Sequence, residues 1–265
     1  MEGLEGLVSR LSYEEAVKAY LEMMREDLSR AFDRVRRVLC VQPHPDDTDI
    51  AAGGLVAKLA SRGVEVAYVT LTDGGLGTMD PEMYPEKLAL VRRREQEEAA
   101  RLLGVKELVW LGYRDGELQP TLEARRELIR LIRWYKPDMV IAPDPWLTYE
   151  VHPDHRAAGI LAVEAAFFSA HPHSIPLAEG LKPHPVRYVA FYWTRKPNAI
   201  IDVSEYMEVK MKAVRAHQSQ YTPALEDSVR AYMRLMGKLI GAAYAEAFKV
   251  LNPFMMHSNT FAEDV

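Results

Sequence analysis

Residues 36–47 read RRVLCVQPHPDD, and this stretch decides the fold. Its first half, Arg36 to Gln42, is a short apolar run with β-branched residues, which is typical of a buried strand. Its second half contains His44, Asp46 and Asp47, a histidine followed by two adjacent carboxylates. In open α/β folds, ligands bind at the carboxyl ends of the strands. The stretch therefore predicts a strand that leads directly into a functional site.

Three more apolar runs of strand length follow at Glu65–Thr72, Glu107–Gly112 and Asp138–Pro143, and helix-length amphipathic stretches separate them. Strands that alternate with helices form a largely parallel sheet covered by helices on both faces. We therefore predict an α/β fold, a Rossmann-like three-layer sandwich with a mainly parallel sheet, in a single domain over residues 1–265. In the second half of the chain we predict the strands Val186–Thr194 and Ala199–Val203 and the helices Glu205–Gln218 and Leu225–Phe248.

A second motif of the same kind, His152-Pro153-Asp154-His155, follows the fourth apolar run. In the doubly wound strand order 3-2-1-4 the first and fourth strands are neighbours, and the crevice at their carboxyl ends is the switch point that binds ligands. His44 follows the first strand and His152 follows the fourth. We therefore expect the two motifs to face each other across one crevice.

The two motifs supply enough imidazoles and carboxylates for a three-ligand metal site with groups to spare, which is the usual composition of a metal-assisted hydrolase. Adjacent carboxylates cannot easily point the same way. One of Asp46 and Asp47 can therefore bind a metal beside His44 while the other acts as general base. His152 and His155 are three residues apart, so one can complete the ligand set while the other donates a hydrogen bond to a developing oxyanion.

Two other classes of protein fit the same residues. Two histidines with one carboxylate also suit non-haem iron(II), so an oxygenase is one alternative. A sugar-binding module without catalysis is the other alternative, although such a module has no use for an acid–base pair beside a metal.

Composition limits the partners that we expect. The net charge is -5 with a pI of about 5.9, and no long Lys/Arg block occurs, which argues against nucleic acid or a membrane as partner. The sequence has no apolar run of bilayer-spanning length and no signal-peptide pattern, so we expect a soluble, cytoplasmic protein. Cys40 is the only cysteine and lies in the first strand, where it is expected to pack as a small hydrophobic residue.

Several segments beyond the two motifs match one known family. They are the pair Gly53-Gly54, Val91-Arg92-Arg93, Ala100–Val105, Tyr113-Arg114-Asp115, Ala142–Trp146, Lys196-Pro197-Asn198 and His217–Gln220. Through these segments, which cover nearly the whole chain, the sequence resembles the LmbE-like or PIG-L-like zinc deacetylases. Within them it is most similar to the archaeal diacetylchitobiose deacetylases.

The resemblance implies hydrolysis of the N-acetyl group of N,N'-diacetylchitobiose or a related N-acetylglucosamine saccharide. It implies that His44, Asp47 and His155 bind Zn2+. It also implies that Asp46 is the general base and that a protonated His152 stabilises the oxyanion. The alternative substrates are N-acetylglucosamine conjugates of inositol, thiol or lipid carriers.

Four further residues are predicted to contact the substrate, a small N-acetylated saccharide. Arg92 and Asp115 match family positions that hold sugar hydroxyls, and Trp146 offers an apolar ring that can carry a sugar face. His257 matches a late histidine that enters a neighbouring subunit's site, so a homo-oligomer, trimer or hexamer, is expected. The family usually has Glu after His-Pro-Asp-Asp, whereas this chain has Thr48.

Overall fold

The computed structural model describes residues 11–265, apart from the side chains of residues 23–27 and 29. In this part of the chain the strands are β1 (Arg37–Gln42), β2 (Glu65–Thr72), β3 (Glu107–Tyr113), β4 (Met139–Pro143), β5 (Tyr188–Tyr192), β6 (Ala199–Asp202) and β7 (Ala245–Leu251). They form one sheet in the order β3-β2-β1-β4-β5-β7-β6. The first five strands in this order are parallel, and β7 is antiparallel to both of its neighbours. The predicted order 3-2-1-4 and the mainly parallel α/β sheet are confirmed.

The helices of the described residues connect these strands. They are α1 (Tyr13–Ser29), α2 (Asp47–Ser61), α3 (Pro85–Leu103), α4 (Leu122–Tyr135), α5 (Pro153–Phe168), α6 (Met207–Ala216) and α7 (Pro223–Lys238). Local signals set several ends. Ser12 and Glu15 form a capping box before α1, and Gly104, in the left-handed conformation with φ 80°, ends α3.

The helices form two layers around the sheet. Helices α2 and α3 pack with α6, whereas α4 packs with α5, which also covers β4. The apolar core between the layers is continuous and includes Cys40, which is buried and free. Among the described residues, no helix combines the length and the apolar character needed to cross a membrane.

One predicted element is wrong. The helix predicted over Leu225–Phe248 ends at Lys238, and Ala245–Leu251 is strand β7, inserted between β5 and β6. All seven residues of β7 are buried, so the segment lacks the polar–apolar alternation that marks a half-exposed strand. Pairing on both edges overrides the weak local helix preference of its Ala and Glu residues.

Candidate active site

The two motifs meet at the carboxyl ends of β1 and β4, which pair directly in parallel. His44 follows β1, and His152 and His155 lie at the amino end of α5, which follows β4. The His44 ring centroid lies 4.5 Å from that of His152 and 5.2 Å from that of His155. The convergence predicted from the sequence is therefore present.

The adjacent carboxylates of the first motif point in different directions because Asp46 precedes α2 and Asp47 is its first residue. Asp47 lies between two imidazoles. One of its oxygens is 3.1 Å from Nδ1 of His44, and the other is 3.5 Å from Nε2 of His155. Burial raises the pKa of Asp47, but the hydrogen bond from His44 and the nearby His155 outweigh it and lower this pKa to about 2.

His44, Asp47 and His155 form a group that can hold a metal ion, since each offers one donor atom within 4.8 Å of the others. Donor atoms that share a tetrahedral zinc at about 2.0 Å lie roughly 3.3 Å apart. The separation between Nδ1 of His44 and Oδ2 of Asp47, 3.1 Å, matches that spacing, and Nε2 of His155 lies 3.5 Å from the other oxygen of Asp47. Two imidazole nitrogens and one carboxylate oxygen leave a fourth position open, as a hydrolytic zinc site requires. The residues present therefore fit the metal that the sequence predicts.

A second group that could hold a metal consists of His44, Asp115, His152 and Asp154. It fits less well, because the two oxygens of Asp154 already accept the backbone N–H groups of Gly116 and Leu118. Nε2 of His44 lies 3.1 Å from Asp115 and 3.2 Å from Asp154. The arrangement is that of a metal-binding histidine whose other nitrogen donates to a carboxylate.

This environment makes the His44 imidazole unusually basic. Burial lowers its pKa, but the hydrogen bonds to Asp115, Asp154 and Asp47 outweigh burial and raise it to about 12. Without a metal, the ring is therefore an imidazolium at neutral pH. The sequence analysis assigned no role to Asp154, although it lies inside the second motif and contacts His44.

His155 is held in a similar way by a residue outside both motifs. Its Nδ1 lies 3.1 Å from Oε2 of Glu150, and the other oxygen of Glu150 accepts the backbone N–H of His152. The ring of Trp193 stacks on His155 at 5.2 Å between centroids and 19° between planes. The sequence reasoning missed Glu150 and Trp193, because neither follows from motif spacing.

Asp46 lies beside the ligand group without belonging to it. Its carboxylate is buried, and Oδ2 is 3.2 Å from Nη2 of Arg92. Burial raises its pKa, the Arg92 guanidinium opposes this, and the net result is a pKa of about 6. A carboxylate with a pKa near neutrality is suited to act as a general base.

His152 precedes α5 as its N-cap, and its Nδ1 accepts the backbone N–H of Asp154. The hydrogen of a neutral ring is therefore on Nε2, which lies 3.8 Å from Asp115. Burial and the neighbouring imidazoles of His44 and His155 lower the pKa of His152. In this arrangement Nδ1 accepts and Nε2 can donate, and the protonated form that the sequence analysis expects during the reaction stays a prediction.

The four predicted substrate contacts lie in different surroundings. The guanidinium of Arg92 is buried and donates to the carbonyl oxygens of Gly74 and Pro45. Asp115 borders His44, and 57% of Trp146 is exposed. Their roles in binding sugar stay predictions.

His257 lies away from its own crevice. It packs on Phe167, twelve residues after His155 on the same helix, α5. Twelve residues of α-helix span about 18 Å. His257 therefore does not contact His155 of its own chain.

Comparisons with known proteins identify the family of this chain. Residues 39–166 match the family model PIG-L, GlcNAc-PI de-N-acetylase. The chain is 41% identical over 257 residues to the diacetylchitobiose deacetylase of Thermococcus kodakarensis. The alignment covers 95% of this chain and 96% of that protein. The chain therefore belongs to the PIG-L family, and the predicted family is confirmed.

Further relatives narrow the class of reaction. The structure matches N,N'-diacetylchitobiose deacetylase from Pyrococcus horikoshii, complexed with its inhibitor MPG, with a TM-score of 0.89 and 42% identity over 96% of this chain and 98% of that one. A probable N-acetyl-alpha-D-glucosaminyl L-malate deacetylase 2 of Bacillus anthracis is 33% identical over 207 residues, 74% of this chain and 87% of that protein. The chain is an enzyme, a deacetylase that hydrolyses an amide C–N bond. Membership in this class argues against both alternatives from the sequence analysis, the oxygenase and the sugar-binding module.

Proposed function

We propose that this protein removes the N-acetyl group of N,N'-diacetylchitobiose, or of a closely related N-acetylglucosamine saccharide, with zinc as cofactor. The observation that carries the proposal is the position of Asp46. Its buried carboxylate lies beside the group formed by His44, Asp47 and His155 but outside it, with a pKa raised to about 6. Hydrolysis needs such a free base next to the metal ligands, whereas an iron oxygenase does not.

His44, Asp47 and His155 would hold the zinc ion. When bound there, zinc supplies polarisation of the amide carbonyl and a lowered pKa for the attacking water. Asp154 and Glu150 accept hydrogen bonds from the other ring nitrogens of His44 and His155, which fixes the tautomer that each ligand needs.

Asp46 transfers the protons in this scheme, and His152 donates a hydrogen bond. Asp46 removes a proton from the attacking water and delivers it to the departing amine, which a carboxylate with a pKa near 6 can do in both directions. His152 donates from Nε2 to the carbonyl oxygen as negative charge develops on it. Acetate and a free amino sugar are the products.

A cavity of about 580 Å³ is lined by segments that flank two contacts of His155, while the three proposed metal ligands do not line it. Thr148 lines it two residues before Glu150, and Thr194 lines it directly after Trp193. Both Glu150 and Trp193 contact His155. Since consecutive Cα atoms are about 3.8 Å apart, the Cα atoms of Thr148 and Thr194 lie within roughly 8 Å of those of Glu150 and Trp193.

The lining of this cavity suits a saccharide. Trp146 exposes its ring there and meets Phe191 edge-on at 5.7 Å. Asp144 and Arg195 add polar groups to the lining, and one oxygen of Asp144 accepts the backbone N–H of Trp146. An aromatic ring with a few free polar groups is typical of a site that binds a partly apolar, hydroxyl-rich ligand. We assign this cavity to the ring next to the one that is deacetylated.

A homo-oligomer is part of the proposal. Because His257 packs on Phe167, about 18 Å along α5 from His155, we assign it to the crevice of a neighbouring subunit. Phe254 beside it packs on Phe167 but stays 47% exposed, which leaves apolar surface for a neighbouring chain.

The test is a substrate panel. The purified protein, loaded with zinc, is incubated with diacetylchitobiose, N-acetylglucosamine and the inositol and malate conjugates of N-acetylglucosamine, and the products are identified by mass. We expect the loss of one acetyl group, fastest from the disaccharide, none after metal removal, and a rate lower by about two to four orders of magnitude in Asp46→Asn. Faster turnover of a conjugate would replace the proposed substrate, and no acetate from any compound would refute the proposal.

A further inference from the structure

Asp46 has a backbone conformation that few residues other than glycine adopt. Its φ is 113°, its ψ is -31°, and its side chain makes no capping hydrogen bond to α2. Such a conformation costs free energy and persists only when the surrounding structure holds it. The direction of the Asp46 carboxylate depends on this conformation, so the contact that holds the backbone matters.

Gln96 of α3 makes that contact. Its Oε1 accepts the backbone N–H of Asp46 at 2.9 Å and the side-chain amide of Gln42 at 2.8 Å. Its Nε2 donates to Oδ2 of Asp49 at 2.7 Å. Two donors and one carboxylate leave only one orientation for the Gln96 amide, because the flipped amide would face N–H with N–H.

The partners of Gln96 are themselves fixed. Asp49 accepts the hydroxyl of Tyr68 at 2.8 Å and lies 2.8 Å from Nε2 of His217. Gln42 accepts the backbone N–H of Thr48 at 3.1 Å. Gln96, Asp49 and Gln42 are fully buried, so a missing hydrogen bond here is not replaced by water.

Helix α3 therefore holds Asp46 at two points. Arg92 lies one turn before Gln96 on the same face of the helix and contacts the Asp46 carboxylate and the carbonyl oxygen of Pro45. Gln96 holds the backbone N–H of Asp46. Together Arg92 and Gln96 hold the carboxylate and the backbone of Asp46.

We propose that Gln96 is a positioning residue, which holds Asp46 in its strained conformation and so aims its carboxylate at the attacking water. This inference rests on the assignment of Asp46 as general base in the proposed function. Gln96 touches neither the substrate nor the three proposed metal ligands in this scheme.

The first test is Gln96→Met, which keeps the size of the side chain and removes its hydrogen bonds. We expect an unchanged metal content and KM, with kcat lower by roughly a hundredfold, since a misplacement of about 1 Å can cost that much. Ser169→Ala is the matched control, because it removes buried hydrogen bonds at the far end of α5. It should lower stability and leave kcat unchanged.

The second test is rescue by Gln96→Glu combined with Asp49→Asn. In the double variant, the new carboxylate accepts from Asp46 and Gln42, and the total charge is the same. The new amide at position 49 donates one hydrogen to this carboxylate and the other to Nε2 of His217, whose own proton then lies on Nδ1. We expect Gln96→Glu alone to be impaired, because it places two carboxylates together, and the double variant to recover much of the lost kcat. A double variant no better than the single one would overturn the inference.

A structural measurement separates this inference from the proposed function. Crystal structures of metal-free wild type and Gln96→Met should show Asp46 at positive φ in the first and relaxed in the second, whatever the substrate is. A wild type without deacetylase activity would refute the proposed function alone. Unchanged φ in Gln96→Met, or a rise in KM with unchanged kcat, would refute the role of Gln96.

Discussion

Oε2 of Glu150 lies 3.1 Å from Nδ1 of His155, on the side of the ring opposite the nitrogen that faces Asp47. A carboxylate in this position keeps the proton on Nδ1 and leaves Nε2 free to bind a metal. Because Glu150 also accepts the backbone N–H of His152, one side chain orients both histidines of the second motif.

The first prediction concerns this contact. Glu150→Gln should lower the affinity for zinc about 10- to 100-fold, as loss of such outer partners typically does, while the protein stays folded. Competition with a coloured chelator measures the affinity. Glu179→Gln is the control, because Glu179 pairs with Arg130 on the surface. Equal zinc affinity in both variants would show that Glu150 does not support His155.

The second prediction separates the two adjacent carboxylates. Asp46→Asn should keep its metal and lose about two to four orders of magnitude in rate, because an amide cannot accept the water's proton. Asp47→Ala should lose the metal, as should His44→Ala. Metal analysis with kinetics distinguishes them, and metal loss in Asp46→Asn would reverse the two roles.

The pH profile provides a further check on Asp46. Burial and then Arg92 set its pKa at about 6, and the base must be ionised, so kcat/KM of the wild type should fall as the pH drops through this value. A bound cation lowers the pKa of a nearby carboxylate, which places the acid limb at or below about 6.

The third prediction concerns His152. His152→Ala should keep zinc and lose rate mainly in kcat, by about a hundred- to a thousandfold, because the donor acts on charge that develops in the transition state. Steady-state kinetics on the disaccharide give both constants. A higher KM with an unchanged kcat would make His152 a contact to the bound sugar instead.

The fourth prediction follows from the raised pKa of His44. Despite burial, its hydrogen bonds to carboxylates raise its pKa to about 12, so a metal must displace a proton from Nδ1 at neutral pH. Zinc binding should therefore release about one proton, and the affinity should rise with pH. Calorimetry in buffers of different ionisation enthalpy counts the protons. Release of none would mean that His44 is already neutral in the metal-free protein.

The fifth prediction tests the shared site. A mixture of Asp46→Asn and His257→Ala subunits can assemble crevices that have both an intact base and an intact His257. We expect activity to reappear after subunit exchange when each parent alone is inactive. The exchange itself is checked by native mass spectrometry of differently labelled subunits. No recovery despite confirmed exchange would confine His257 to a role within its own chain.

The sequence by itself determined the sheet order at the site and the meeting of the two motifs. Apolar runs at the spacing of βαβ units dictate parallel strands, and the carboxyl ends of adjacent parallel strands lie at one edge. His44 and His152 therefore had to converge once β1 and β4 were neighbours. The family motifs added the predicted ligand set, because His, Asp and His at these positions form a recognisable pattern.

Only the tertiary structure decided which groups hold that site in place. Gln96 is fifty residues from Asp46 in the chain and Glu150 lies outside both motifs, so no local spacing links them to the residues they contact. Strand β7 was mistaken for helix for the same reason, since pairing with β5 and β6 outweighs local preference. Periodicity reports which face of a segment is buried, whereas hydrogen bonds between distant buried groups depend on the packed chain.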